Sequence, residues 1–392
     1  MSPPHVSYAE LFRLFVRLSL TAFGGPVAHI ALAEEEIVVR RKWLTREHYL
    51  DLIAATNLIP GPNSTEVMIH VGYTLRGIPG ALLTGACFII PTFLLTLALA
   101  ALYVSTGSIP QVNAVLWGIK PVIVAIIANV AYRLVRTALI SRALWVLFGL
   151  CITALVLLDV PEVIVMLGAG VAYAAWKRRV TVRETLTAFL WAGVGATWQI
   201  APTSAILIVE TARAGVWDLF FYFLKIGSVL FGSGYVLIAY IQQDIVNTFG
   251  WLTQQQLLDA IAIGQVTPGP VSTAASVVGY IIAGVPGAVA ATLGIFLPSF
   301  VLVILTAPLI PRMRRSQTMS AFLTGVNAGV VAAILITLVD LTQAALRTPD
   351  GTSFSPVAIA LALAALGLLV STKINATWLI AAGGVVGLLA AR

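Results

Sequence analysis

WLTREHYLDLIAATNLIPGPNST (43–65) returns 208 residues later as WLTQQQLLDAIAIGQVTPGPVST (251–273), without a gap and with 12 of 23 positions identical. Near the end of each copy stands a triplet, Pro60-Gly61-Pro62 and Pro268-Gly269-Pro270. Proline removes a backbone N–H, so neither triplet can continue a helix, and the arm after it starts with unpaired amides. A duplicated unit built around a helix break, in an apolar chain, is the pattern of a membrane transporter with its site between the repeats.

The match extends outward from this stretch. Phe23-Gly24 aligns with Phe231-Gly232 upstream. After a one-residue slip downstream, Gly72-Tyr73 aligns with Gly279-Tyr280, Gly77-x-Pro79-Gly80 with Gly284-x-Pro286-Gly287, and Gly118 with Gly325. Residues 1–176 therefore form one repeat and 218–392 the other. The stretch 177–217, opening with Lys177-Arg178-Arg179, has no partner and reads as a connector.

Only 10% of the 392 residues are charged and 59% are hydrophobic, too little charge to cover a soluble protein of this size. Lipid must be the solvent for much of the chain. Apolar runs at 78–104, 112–132, 143–158, 163–176, 219–241, 285–310, 318–339, 356–371 and 374–391 approach the roughly 20 residues that span a bilayer. The net charge of +7 is spread over short loops, which is a topology signal and not a nucleic-acid patch. Around Glu10, Arg13 and Arg17 the start of the chain lacks the order of a removed signal peptide.

Lysine and arginine then orient the halves, because cytoplasmic loops are enriched in them. Arg40, Arg41, Lys42 and Arg46 follow the opening helix of the first half, while 244–256 has neither residue. The next loop inverts the bias, 105–111 being uncharged and its counterpart holding Arg312, Arg314 and Arg315. Two further loop pairs alternate again. The expected fold is an all-α polytopic membrane protein of two inverted-topology repeats, each with about five transmembrane helices and a re-entrant helical hairpin broken at Pro-Gly-Pro. The first half's crossings are expected at 10–33, 78–104, 112–132, 143–158 and 163–176, and the hairpins at 47–75 and 255–282. The 186–209 run lies in the interface or adds a crossing.

A helix N-terminus carries about half a positive charge and exposed amides, a seat for an oxyanion. Asn63, Ser64 and Thr65 follow the first break, and Ser272 and Thr273 the second, with Asn57 and Gln265 matched before the triplets. Phe23-Gly24-Gly25-Pro26 and Phe231-Gly232-Ser233-Gly234 break the opening helix of each half. No Gly-Lys-Ser/Thr follows them, so they are not phosphate loops. Lys120 stands in an apolar span and can attract an anion. Glu66, whose counterpart is Ala274, and His29 and His70 are candidate proton-coupling groups. Asp51 and Asp259 are matched and read as capping or pairing groups at the hairpin bases.

Cys87 and Cys151 both lie in apolar runs, and the four histidines lack ligand spacing, so no metal site is expected. No Gly-x-Ser-x-Gly turn is present, no catalytic residue stands out, and no cofactor or ATP motif is called for. A membrane enzyme acting on lipid phosphate remains the alternative class, since helix N-termini serve that chemistry too.

FGGPVAHI (23–30), LIPGPNSTEV (58–67), GxPG (77–80) and TPGPVSTAASVVGY (267–280) together resemble the chromate ion transporter family, in its long-chain two-domain form. The resemblance covers nearly the whole chain. It implies a multi-pass protein of the cell's inner membrane that exports chromate, confers chromate resistance, and takes sulfate as a look-alike. The partners implied are the oxyanion and the lipid bilayer, with a homodimer left open. The second half departs from the pattern, with Gly-Ser-Gly for Gly-Gly-Pro and Val271 for Asn63.

Overall fold

The computed structural model describes residues 6–23, 25–106, 109–158, 160–178, 214–231, 234–309, 316–348, 353–372 and 374–390. The connector, apart from its ends, lies outside them, as do Gly24, Gly232 and the three arginines at 312–315.

Every regular element named here is helical, and the elements come in two series of seven. The first is α1 Tyr8–Thr21, α2 Gly25–Glu34, α3 Arg46–Thr56, α4 Asn63–Thr106, α5 Pro110–Ala138, α6 Arg142–Leu157 and α7 Glu162–Arg178. The second is α8 Val216–Val229, α9 Val236–Tyr240, α10 Gln254–Val266, α11 Ala274–Thr306, α12 Gln317–Ala345, α13 Pro356–Ser371 and α14 Ala376–Ala390. Both α2 and α9 run on as π-helix, over Glu35–Arg40 and Ile241–Thr248. The duplication thus holds down to an uncommon local form.

The Trp-Leu-Thr motif has a mechanical reading. Thr45 Oγ1 accepts the His48 N–H at 3.2 Å and Thr253 Oγ1 accepts the Gln256 N–H at 3.2 Å, so each threonine caps the helix that leads to a triplet. Upstream, the Trp43 N–H donates to Ile37 O at 2.8 Å and the Trp251 N–H to Ile245 O at 2.9 Å, closing the same turn after each π-helix. The Gly-x-Pro-Gly motif makes a second matched feature. Gly77 (φ 62°, ψ −152°) and Gly284 (φ 64°, ψ −152°) break α4 and α11 in a region of backbone space almost reserved for glycine. Around each break Gly72 meets Gly80, and Gly279 meets Gly287, so closely that a Cβ on either would strike backbone.

Packing follows an exchange of each helix with its counterpart seven places on. α1 packs on α4 as α8 packs on α11; α5 packs on α14 and α13 as α12 packs on α7 and α6. α4 lies against α11, and α5 against α12, joining the halves. The α5–α14 contact is backbone-close at Gly118, Gly383 and Gly387, the small-residue packing expected where no hydrophobic force separates helix from lipid. Large apolar side chains face outward: Leu157 and Ile140 are each 75% exposed, and Trp217 and Trp378 each 71%.

Among the described residues four helical stretches are long and apolar enough to cross a membrane: Asn63–Thr106, Pro110–Ala138, Val271–Thr306 and Gln317–Ala345. α6, α13 and α14 are apolar but shorter, 16, 16 and 15 residues. The sequence reading needs adjustment in two places. The expected crossing at 10–33 is two helices, because Ala22 turns extended (φ −84°, ψ 97°) and Gly25 takes φ 78°. The hairpin's second arm and the 78–104 crossing are joined in α4, with the Gly77 break between them.

Candidate functional site

The two triplets meet the broken opening helices across the molecule, not within their own halves. The Gly61 N–H donates to Leu230 O at 2.7 Å, and the Gly269 N–H donates to Ala22 O at 2.9 Å. Leu230 and Ala22 are the C-caps of α8 and α1, where those helices stop and leave carbonyls without helical partners. Each triplet therefore supplies what the other half's break lacks. Both glycines need their freedom, at φ 146° and 94°. A Cβ at Gly61 would press on Ser299 Oγ at 2.5 Å and on Glu66, and one at Gly269 would press on Thr92 of the opposite half. Thr92 and Ser299 are themselves counterparts after the slip.

Around this crossing Thr65 Oγ1 and Ser272 Oγ are buried without a hydrogen-bond partner among the described residues, and the Glu66 carboxyl and Ser299 hydroxyl face each other beside Gly61; His70 Nε2, about two turns into α4, is unpartnered as well. Glu66, Thr65 and Ser299 are fully buried, and Ser64, Ser272 and His70 nearly so. Buried polar groups without partners cost of order 1–3 kcal/mol each, so their presence at a double helix break singles out this place as the candidate site. His29 is different. Its Nε2–H donates to Ala22 O at 3.1 Å, so it helps hold the break that also receives Gly269.

The remaining predicted residues fall on both sides of this centre. Asn57 and Asn63 pair with each other, Nδ2–H of Asn63 to Oδ1 of Asn57 at 2.8 Å. Pro60 is half-buried, while Pro62 and Pro268, Pro270 and Thr273 are buried. The Thr273 hydroxyl donates to Pro270 O at 2.8 Å, closing its own turn. Gly25 faces the Tyr235 hydroxyl and Val271, whereas Gly234 faces Ser272 and Val271. Pro26 and Phe23 are half-buried, and Phe231 sets its ring edge to Phe322 at 6.5 Å. Gln265 is half-buried, at the end of α10. Lys120 lies away from the turns: its Nζ pairs with Asp259 Oδ1 at 3.0 Å and donates to Gln255 Oε1 at 2.7 Å. Roughly 10 Å of helix separates Asp259 from the end of α10.

One duplicated feature escaped the sequence reading. Arg17 Nη2 pairs with Glu36 at 2.5 Å, and at the same two positions of the other half Lys225 Nζ meets Asp244 at 3.9 Å. Glu36 also gathers Arg40 at 3.1 Å and Arg41 at 3.5 Å. Burial pushes the Asp244 carboxyl above the usual carboxylate range, against the pull of Lys225 and Tyr222. The 208-residue offset maps Arg17 onto Lys225 and Glu36 onto Asp244, a charge-preserving match that the alignment already held.

A helical chain with four stretches, among the described residues, long and apolar enough to cross a bilayer is a membrane protein. Residues 9–175 and 217–388, one stretch in each half, match the family described as chromate transporter, and the chain belongs to that family. It is 33% identical to a chromate transport protein of Pseudomonas aeruginosa, over 99% of this chain and 93% of that one. A chromate transport protein of Cupriavidus metallidurans is 29% identical over 99% of this chain and 94% of its own length. A probable chromate transport protein of Synechococcus elongatus is 29% identical over 84% of each chain. No solved structure matches this chain.

Proposed function

We propose that the chain is a secondary transporter that exports chromate across the cell's inner membrane and thereby confers chromate resistance. The observation that carries this reading is the reciprocal seating of Gly61 on Leu230 and Gly269 on Ala22, with unpartnered buried polar groups around it. In the membrane the halves lie in inverted topology, and the arms around each triplet form hairpins that enter and return on one face. Irregular backbone at that depth is tolerated where it lines a site. Chromate is a tetrahedral dianion near neutral pH, so amides and hydroxyls at helix starts can replace its hydration. Rocking of one repeat against the other exposes the site to each side in turn.

The membrane potential can drive export. Each charge is worth about 2.3 kcal/mol per 100 mV, so a dianion leaving a negative interior gains roughly 4.6 kcal/mol, about a thousandfold in concentration. Glu66 is the group through which proton movement couples to transport, since it is fully buried against the first triplet at Gly61.

Purified protein in proteoliposomes tests this, with voltage and pH gradient set independently and sulfate as competitor. Voltage-dependent chromate flux is expected, with Glu66→Gln abolishing its response to the pH gradient alone. Absence of chromate and sulfate flux from folded wild type overturns the reading.

A further inference from the structure

The two turns are built alike and finished differently, at three matched positions. Where the first half has Pro26, the second has Gly234; where it has Asn63, the second has Val271; where it has Glu66, the second has Ala274. Each difference acts in the same direction. Gly234 leaves out a side chain at a point 3.4 Å from Ser272 Oγ and 4.0 Å from the Ser272 amide nitrogen. Val271 offers no amide group to occupy its neighbours, whereas Asn63 binds Asn57 and the first turn's polar pair is closed on itself. Ala274 brings no acid, whereas Glu66 puts a carboxyl directly against the first triplet at Gly61.

Charge agrees with shape. From Ala260 to Thr306 the chain has no Asp, Glu, Lys, Arg or His, while the matching stretch of the first half carries Glu66, His70 and Arg76. Ser272 is 1% exposed and its hydroxyl has no hydrogen-bond partner. It stands at the start of the 36-residue apolar stretch Val271–Thr306, at the positive end of a helix. The approach of the first half's Gly25 to Tyr235 and Val271 brings the other broken helix to the same spot.

We propose that the tetrahedral oxyanion is held by the second turn alone, on the Ser272 hydroxyl and amide in front of Gly234, and that the first turn, bearing Glu66, is not an anion seat. The proposal rests on the transport reading above and assigns the cargo to one of its two equivalent-looking turns. Glu66 then marks the half without a free seat, because its carboxyl already occupies the place beside Gly61.

The test measures binding of radiolabelled sulfate, and its displacement by chromate, on purified protein, alongside flux. Gly234→Ala is informative because its methyl would stand at ordinary contact distance from Ser272 Oγ and would fill the seat without backbone strain. Gly234→Ala and Ser272→Ala are expected to weaken binding about tenfold or more, the scale of one hydrogen bond to a charged group. Ser64→Ala and Asn57→Ala are expected to change it by less than about threefold. Thermal unfolding of each variant without ligand separates loss of the seat from loss of the fold. Equal losses from both pairs, or a loss confined to Ser64 and Asn57, overturn the assignment while leaving oxyanion transport intact. If wild type neither binds nor moves sulfate or chromate, the transport reading itself falls.

Discussion

Lys42 and Gly250 hold the same place in the two repeats, just after the π-helices, and both lie at positive φ, 52° and 62°. The duplicate shows what that backbone prefers: a residue with a Cβ pays roughly 1–2 kcal/mol there, and glycine does not. Glycine in turn loses more entropy on folding, by roughly 0.5–1 kcal/mol. Lys42→Gly is therefore expected to leave stability unchanged or raise it by up to about 1 kcal/mol. Gly77 and Gly284 are the converse. Nothing stands within 4 Å of where their Cβ would be, so the cost of Gly77→Ala or Gly284→Ala is backbone strain without collision, roughly 1–3 kcal/mol each. The apparent unfolding midpoint in detergent reads both changes. A drop for Lys42→Gly, or none for the two alanines, would contradict this account of the turns.

Among the elements, α3 and α10 are counterparts that are anchored differently. α10 packs on α5 and α12, held by Lys120 to Asp259, by the Tyr103 hydroxyl donating to Asp259 at 3.0 Å, and by Gln255 Nε2–H donating to Ala344 O at 3.1 Å. α3 packs chiefly on α4. Lys120 and Asp259 are only 12% and 9% exposed, so removing one charge strands the other in a largely dry setting, costing up to roughly 3–5 kcal/mol. Lys120→Met and Asp259→Leu are each expected to lower the unfolding midpoint, and the double variant to recover most of the loss. Additive losses would mean the pair does not hold α10. The sequence displayed the triplets because proline and glycine act on the backbone within a few residues, whereas the Trp-Leu-Thr and Gly-x-Pro-Gly motifs were legible only as repeats, their roles as caps and breaks emerging with the structure. The break at 23–26 was legible too, but 10–33 still read as one crossing, since average hydropathy does not register that the helix stops at Ala22 and restarts at Gly25. Lys120 was legible as an unusual charge, but its partners lie 135 and 139 positions away on the other half, beyond any local pattern.

For the whole molecule, the strongest packing pairs map onto one another when each helix is exchanged for its counterpart, which is a two-fold relation between the halves. Contacts alone leave the direction of that axis open: along the bilayer normal the halves are parallel, in its plane they are inverted. The loop charges support the proposed inversion, since Arg40, Arg41, Lys42 and Arg46 have a counterpart at 244–256 without lysine or arginine. Part of that positive cluster is bound to Glu34, Glu35 and Glu36. The bias survives, because acidic residues contribute little to orientation. Glu47 at the start of α3 and Phe249 before α10 are both exposed and sit at the entrances to the two arms. Cys87 and Cys151 are buried and give little background. With a membrane-impermeant maleimide on intact cells, Phe249→Cys is expected to react from outside and Glu47→Cys only after the cytoplasmic face is opened. Labelling of both from one face would make the repeats parallel, bring the two triplets in from the same side, and remove the alternating exposure on which the proposed export rests.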